Sequence, residues 1–488
     1  MPRRWVPVTF LEAQMDDFGR YDAVGLAELV RSRQVSQLEL VDETIERIER
    51  LNPQLNAVVI KMYEYARELA KNEITKGPFA GVPFLLKDFL GQFSGVEYSQ
   101  SSRFLSGFVP DKDAVLTQRF KRAGFITVGK TNLPEFAIGA TTEPEFRGAT
   151  HNPWDLERTP GGSSGGAGAS VASRIVPAAH GNDAGGSIRI PAAACGTVGL
   201  KPTRGRNPLG PDYGDLISGF VAEHVLTRTV RDTAAILDVT SGPDAGDWYP
   251  APTKSSSFLK DCDADPGQLK IAVSVASPTG TPVHPDCIAA VHDIAALCED
   301  LGHHVVEAAP SYNADALWYN FTSMMSVGVA WMVDAWAEKL GREAVDDELE
   351  PFIKALAAHG RTITGPNYLA MLQELQVLAR DIGRFFQDHH ILLTPTLGEP
   401  AIPLGVLKYD SGDPLELRRS QGKFSPFTYM TNVTGQPAIT LPLAMSQNNL
   451  PIGLHFAGRY GDESTLFKLS TQLEQARPWL DRVPPVSA

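Results

Sequence analysis

Cysteine is scarce in this chain of 488 residues: there are four, Cys195, Cys262, Cys287 and Cys298, and none belongs to a CxxC pair. Their spacings fit neither a zinc site nor a dense disulfide framework, so free thiols in a reducing cytosol are the simplest reading. Long apolar runs are missing too. No stretch approaches the ~18 uninterrupted apolar residues of a membrane span. In the opening MPRRWVPVTFLEAQMDD, Glu12, Asp16 and Asp17 interrupt the apolar residues too early for a signal-peptide core. The expected location is cytoplasmic. Positive charge is in deficit, with 44 Lys and Arg against 57 Asp and Glu and a formal net charge of -13. That balance argues against nucleic acid or an anionic membrane as a main partner. No internal repeat is found, and one glycine-serine loop is the sole low-complexity segment.

What is present is enough apolar sequence for a large core: 43% hydrophobic and 21% charged residues. Apolar positions at helical spacing predict a helix over 23–32. Ser36 and Glu39 form a capping box that opens a second helix, running to about Leu51 and stopped by Asn52-Pro53. A third helix is expected over 62–72 and a fourth over 114–123. Short apolar or β-branched runs at 81–86, 125–129, 176–179, 269–274 and 392–395 read as strands, and helices are expected at 284–301 and 464–475. Strands alternating with helices imply an α/β layered core. Residues 1–20 read as a leader, 312–385 as a mostly helical insertion, 427–442 as glycine turns with a strand, and 481–488 as a tail.

The most informative segment is TPGGSSGGAGASVASRIVPAAHGNDAGGSIRIPAAACG. Ser163 in GGSSGG lies 24 positions before Ser187, which closes NDAGGS. Glycine lets a ligand approach the main chain closely, as a serine nucleophile with a backbone oxyanion hole requires. A serine hydroxyl needs a base to take its proton. His180 and Asp183 are near, but on a short extended segment they do not easily face one hydroxyl, and GGSIR is not a GxSxG elbow. His180 reads as a hydrogen-bonded structural residue. Lys87 is the better base, because it ends the buried run Val82–Leu86 and desolvation there disfavours the ammonium form. A shift from about 10.4 to roughly 7 corresponds to on the order of 4–5 kcal/mol. Strand alternation would turn Asp88 to the other face. Taken by themselves, Lys87 and Asp88 would read first as solvated charges at a strand end.

They do not stand by themselves. GVPFLLKD, GKTNLPEFA, GGSSGGAGA, GNDAGGSIRIPAAACGTVGLKPTRG and the distal NVTGQPAITLP resemble the amidase signature family in wording, order and spacing, over about residues 22–480. Within it the chain resembles enzymes of synthetic amides: nylon-oligomer, aryl-acylamide and urethane hydrolases. The resemblance implies one catalytic domain over 21–480, its core signature at 81–205, with a central mixed twisted β-sheet covered on both faces by α-helices. It implies a Ser–cis-Ser–Lys triad in which Ser187 is the nucleophile, Ser163 the bridging serine and Lys87 the base. The N–H groups of Ala184, Gly185, Gly186 and Ser187 would form the oxyanion hole. Ser164, Asp183 and Arg189 would support the site. No metal or organic cofactor is implied. The substrate would be a small-molecule amide or carbamate, and the enzyme a monomer or homodimer.

The aromatic and Met-rich stretch 312–336 reads first as core. Helices in this region of the family tend to wall the substrate funnel, so Trp318 and Trp331, with Ile138 from EFAIGATTEPE, are candidate pocket residues for an apolar substrate. No acidic or basic cluster indicates a charged one. GGSSGGAG read as a phosphate loop lacks the following GK[ST]. A transfer-RNA amidotransferase subunit is a further possibility within the family.

Overall fold

A computed structural model describes residues 15–72, 76–254, 256–345, 347–407 and 412–488. Most of the expected leader, residues 1–14, lies outside them. Eleven strands form one sheet: β1 (Val58–Lys61), β2 (Pro83–Lys87), β3 (Ile126–Thr131), β4 (Ala178–Asp183), β5 (Val198–Lys201), β6 (Ala222–Thr227), β7 (Lys270–Val273), β8 (His304–Glu307), β9 (Ile391–Pro395), β10 (Ala438–Met445) and β11 (Pro451–Ala457). Their spatial order is β1-β3-β2-β4-β6-β5-β10-β11-β9-β7-β8. The sheet is mixed. β3, β2 and β4 run parallel, as do β9, β7 and β8, and the strands between pair antiparallel. Helices on the sheet's faces complete the layered α/β core expected of the amidase signature fold.

The elements nearest the site follow from local chemistry. Every residue of β2 and β4 is buried, which explains why PFLLK reads as continuous rather than alternating. The strand expected over 176–179 extends to Asp183, carrying HGND into the sheet on β6, with His180 opposite Val225 and Asn182 opposite Glu223. Ser36 and Glu39 make the predicted capping box. That helix passes the expected stop and ends at Leu55 with Pro53 inside it. Asn52 sustains the last turn, since its Oδ1 accepts from the N–H groups of Ala57 and Val58 (2.8 Å each), while Asn56 closes the helix in a left-handed conformation. The insertion is three helices, Ala314–Leu340, Pro351–Arg361 and Gly365–Asp388. Within 427–442 a short helix, Tyr429–Thr434, precedes the expected strand.

The four cysteines are buried and free. Among the described residues, no helix is long and apolar enough to cross a membrane, and no cluster of His, Cys, Asp or Glu could hold a metal ion.

Candidate active site

Lys87 ends β2 and is completely buried. Its Nζ lies 2.7 Å from Ser163 Oγ, 3.0 Å from Ser164 Oγ and 2.7 Å from Asn182 Oδ1. Burial pushes the ammonium well below the ordinary lysine range, and the charges of Asp183 and Glu223 offset this only in part. Alternation separates Lys87 from Asp88 as expected. Asp88 instead accepts from Ser99 and pairs with Lys130 (3.3 Å). His180 is structural. Its Nδ1 accepts the Lys87 N–H (3.3 Å), and Nε2 lies 2.9 Å from Glu223 Oε1. A histidine so engaged at both nitrogens is not placed to serve Ser187.

Ser163 follows a cis Gly162–Ser163 peptide, directly before the helix Gly165–Ala172. Only glycine fits at 162, because a Cβ there would lie 2.4 Å from the Thr141 carbonyl oxygen. Ser187 lies in the turn between β4 and the helix Arg189–Cys195, partly exposed among buried neighbours. Ser163 and Ser187 line one small cavity together with Asn182.

Asp183 organises the turn. Its Oδ1 accepts from the Gly186 N–H (2.8 Å), Arg189 Nη2 (2.8 Å) and Asn432 Nδ2 (2.9 Å). Its Oδ2 accepts from Arg189 Nε (2.9 Å) and the Ile188 N–H (3.1 Å). Burial alone would raise this carboxyl, but the Arg189 guanidinium and these donors hold it well below the usual range. Arg189 in turn donates to the Thr428 carbonyl and Thr431 Oγ1 (2.7 Å each). Thr428 Oγ1 donates to the Gly185 carbonyl (2.6 Å). The turn is therefore clamped to the helix Tyr429–Thr434, a buried partner set that sequence alone did not reveal.

One expected oxyanion donor is already engaged. The Gly186 N–H points at Asp183, because Gly186 adopts φ +137 and folds back over the carboxylate. Among the described residues, no acceptor takes the N–H groups of Ala184, Gly185 or Ser187, so these three are free to face an anion.

A second, larger cavity opens on Ser187 and is lined by Ile138, Trp318, Phe321, Met325 and Tyr429 among others. Ile138 and Trp318 thus stand where expected. Trp331 does not. It is 47% exposed, packs edge-on against Tyr213 (5.9 Å between centroids) and lines neither cavity. The helix Ala314–Leu340 explains this: positions 318, 321, 322 and 325 share a face, and 331 falls on the opposite side. Met332, on the cavity face, lines the smaller chamber instead. Asn182, the neighbour of Asp183 on β4, was not singled out from sequence; only the structure shows it accepting from Lys87. Phe321 and Tyr429 carried only a core-like signal. Buried Tyr429 has a hydroxyl without a partner among the described residues.

Comparison with known proteins places nearly the whole chain in one family. The amidase family profile matches residues 39–467. The chain is 41% identical over 475 residues to the 6-aminohexanoate-cyclic-dimer hydrolase of Paenarthrobacter ureafaciens, covering 95% of this chain and 96% of that one. It is 35% identical over 477 residues to the putative amidase AmiC of Mycobacterium tuberculosis, with 95% and 96% covered. Among solved structures, a 6-aminohexanoate cyclic dimer hydrolase superposes with a TM-score of 0.92 at 39% identity, covering 96% of this chain and 99% of that chain. A bacterial aryl acylamidase superposes with a TM-score of 0.85 at 28% identity, with 94% and 96% covered.

Proposed function

The chain belongs to the amidase signature family, hydrolases of carbon–nitrogen bonds other than peptide bonds, and from that premise we propose that it cleaves small, non-peptide amides through an acyl-enzyme on Ser187. The observation that carries this reading is Lys87 Nζ, fully buried, unpaired with any carboxylate among the described residues and 2.7 Å from Ser163 Oγ. A lysine in that position is a neutral base rather than a counter-ion.

Lys87 takes the proton of Ser163 as Ser163 takes that of Ser187, and Ser187 Oγ bonds to the acyl carbon. Charge develops on the acyl oxygen facing the N–H groups of Ala184, Gly185 and Ser187. Each such donor is worth about 3–4 kcal/mol in the transition state. Asp183 and Arg189 hold the turn so that the donors need no reorganisation during the step. Ser163 then delivers a proton to the amide nitrogen as the C–N bond breaks, because an amide anion is too basic to leave unaided. Water repeats the sequence on the acyl-enzyme and releases the acid, with Lys87 neutral again. No step calls on a metal or organic cofactor.

The aromatic and aliphatic part of the lining around Ser187 suits the apolar body of a synthetic amide, cyclic or linear. Aryl carbamates are the runner-up substrates. A panel of cyclic and linear aminohexanoate amides, anilides and aryl carbamates tests this reading. At least one amide class should be turned over at a rate that stands well above the others, and uniformly poor rates would remove the synthetic-amide assignment.

A further inference from the structure

Arg418, on the helix Pro414–Phe424, lines the larger cavity with Ser187, and the triad makes no use of it. It is the one charged residue in that lining among the described residues. Half-buried, it donates through Nη1 to Gln421 Oε1 (2.8 Å), and among the described residues no carboxylate pairs with it. Burial lowers its guanidinium to about 10, so it keeps its charge at neutral pH. A guanidinium sheltered from water with most of its donors unspent matches a carboxylate, which can take two parallel hydrogen bonds from it. Sequence gave no sign of this, since Arg418 is an ordinary helix residue within PLELRRSQGKF.

The two cavities divide the substrate. Both reach Ser187, Ala184, Ile138 and Met325, but Ser163 lines only the smaller one. Ser163 gives the leaving nitrogen its proton, so the amine half belongs in the smaller chamber, whose walls include Phe89, Phe136, Leu216, Val221 and Met332. The acyl half then extends into the larger cavity, toward Arg418 and Gln421.

We propose that the substrate's acyl half ends in a carboxylate held by Arg418 and Gln421, while its amine half is apolar: a half-amide of a dicarboxylic acid. This rests on the amidase reading above. It differs from the wholly uncharged substrate expected from sequence.

The test is a series of succinyl, glutaryl and adipoyl 4-nitroanilides with a free terminal carboxylate, each compared with its terminal carboxamide analogue. At the best chain length the carboxylate form should lead by roughly 10- to 100-fold in kcat/KM, the range of one charge-assisted hydrogen bond. Arg418→Gln should abolish that ratio, and Arg418→Lys should keep part of it, because an ammonium retains the charge but not the fork. A wild-type enzyme that hydrolyses the carboxamide analogues equally well at every length overturns the proposal and leaves the amidase reading intact. A preference for N-acyl-4-aminobenzoates, with the charge on the amine half, overturns it as well. Failure to hydrolyse any amide of the series or of the wider panel defeats the amidase reading and this inference with it. If Arg418→Gln does not fold, the wild-type ratio and Arg418→Lys still decide.

Discussion

Replacing Lys87 with methionine should remove a pH dependence from the stability of the protein, in a direction set by burial. Lys87 is wholly enclosed and its folded pKa lies well below the ordinary value, chiefly by desolvation. In the unfolded chain a lysine titrates near about 10.4. Between the lowered folded value and that one, the unfolded state holds one more proton than the folded state. Wild-type stability therefore rises with pH in this window and falls as the pH drops, by up to about 1.4 kcal/mol per pH unit. Methionine carries no proton, so the wild-type stability minus that of Lys87→Met should grow by about 2.7 kcal/mol from pH 7 to pH 9 if Lys87 is neutral throughout. Urea unfolding at pH 7, 8 and 9 measures that slope. Proton uptake on unfolding in weak buffer measures it independently, and wild type should take up one proton more than the variant. The slope, not the absolute difference, is the quantity to read, because methionine also strips Ser163, Ser164 and Asn182 of a partner. Parallel stability curves and equal proton uptake would mean that Lys87 is charged when folded, and the argument for it as a ground-state base would fail.

The same titration should appear in kinetics: kcat/KM should rise with pH as Lys87 in the free enzyme loses its proton, and a rate that falls over the limb assigned to Lys87 would contradict the assignment. Asp183→Asn leaves the buried Arg189 guanidinium without its carboxylate, so urea unfolding should show a loss of about 3–5 kcal/mol, whereas a near-neutral effect would show that the clamp is dispensable. Gly186→Ala places a Cβ 2.5 Å from Thr428 Oγ1 at a φ of +137, and the displaced turn should lower kcat by roughly 10²–10³-fold, comparable to losing an oxyanion donor. Circular dichroism should show the variant's helix and strand content unchanged.

Sequence carried the site's chemistry further than its surroundings. Lys87, Ser163 and Ser187 were singled out by their glycine-rich or strand-end settings together with the resemblance to the amidase signature motifs. The layered α/β core was legible from strand and helix periods. β6 was not, because Glu223 and His224 interrupt its apolar pattern, and only the sheet supplies the partners that make them tolerable: His180 for Glu223 and the Thr233 carbonyl for His224. The clamp around Asp183 escaped for a related reason. Thr428, Thr431 and Asn432 are more than two hundred positions away and reach Arg189 only through the tertiary fold. Trp331 was misplaced because a list of aromatics does not record which helix face each one occupies. Arg418 was invisible because its lack of a carboxylate partner among the described residues is a property of space, not of spacing.

Trapping the acyl-enzyme tests the central assignment most directly. Wild type mixed with a slowly turned-over aryl carbamate, quenched, digested and analysed by mass spectrometry should yield one covalent adduct, on the peptide carrying Ser187. Ser187→Ala should yield no adduct and no turnover of a 4-nitroanilide. An adduct on Ser163 or any other residue, or wild-type turnover by Ser187→Ala, would contradict the account.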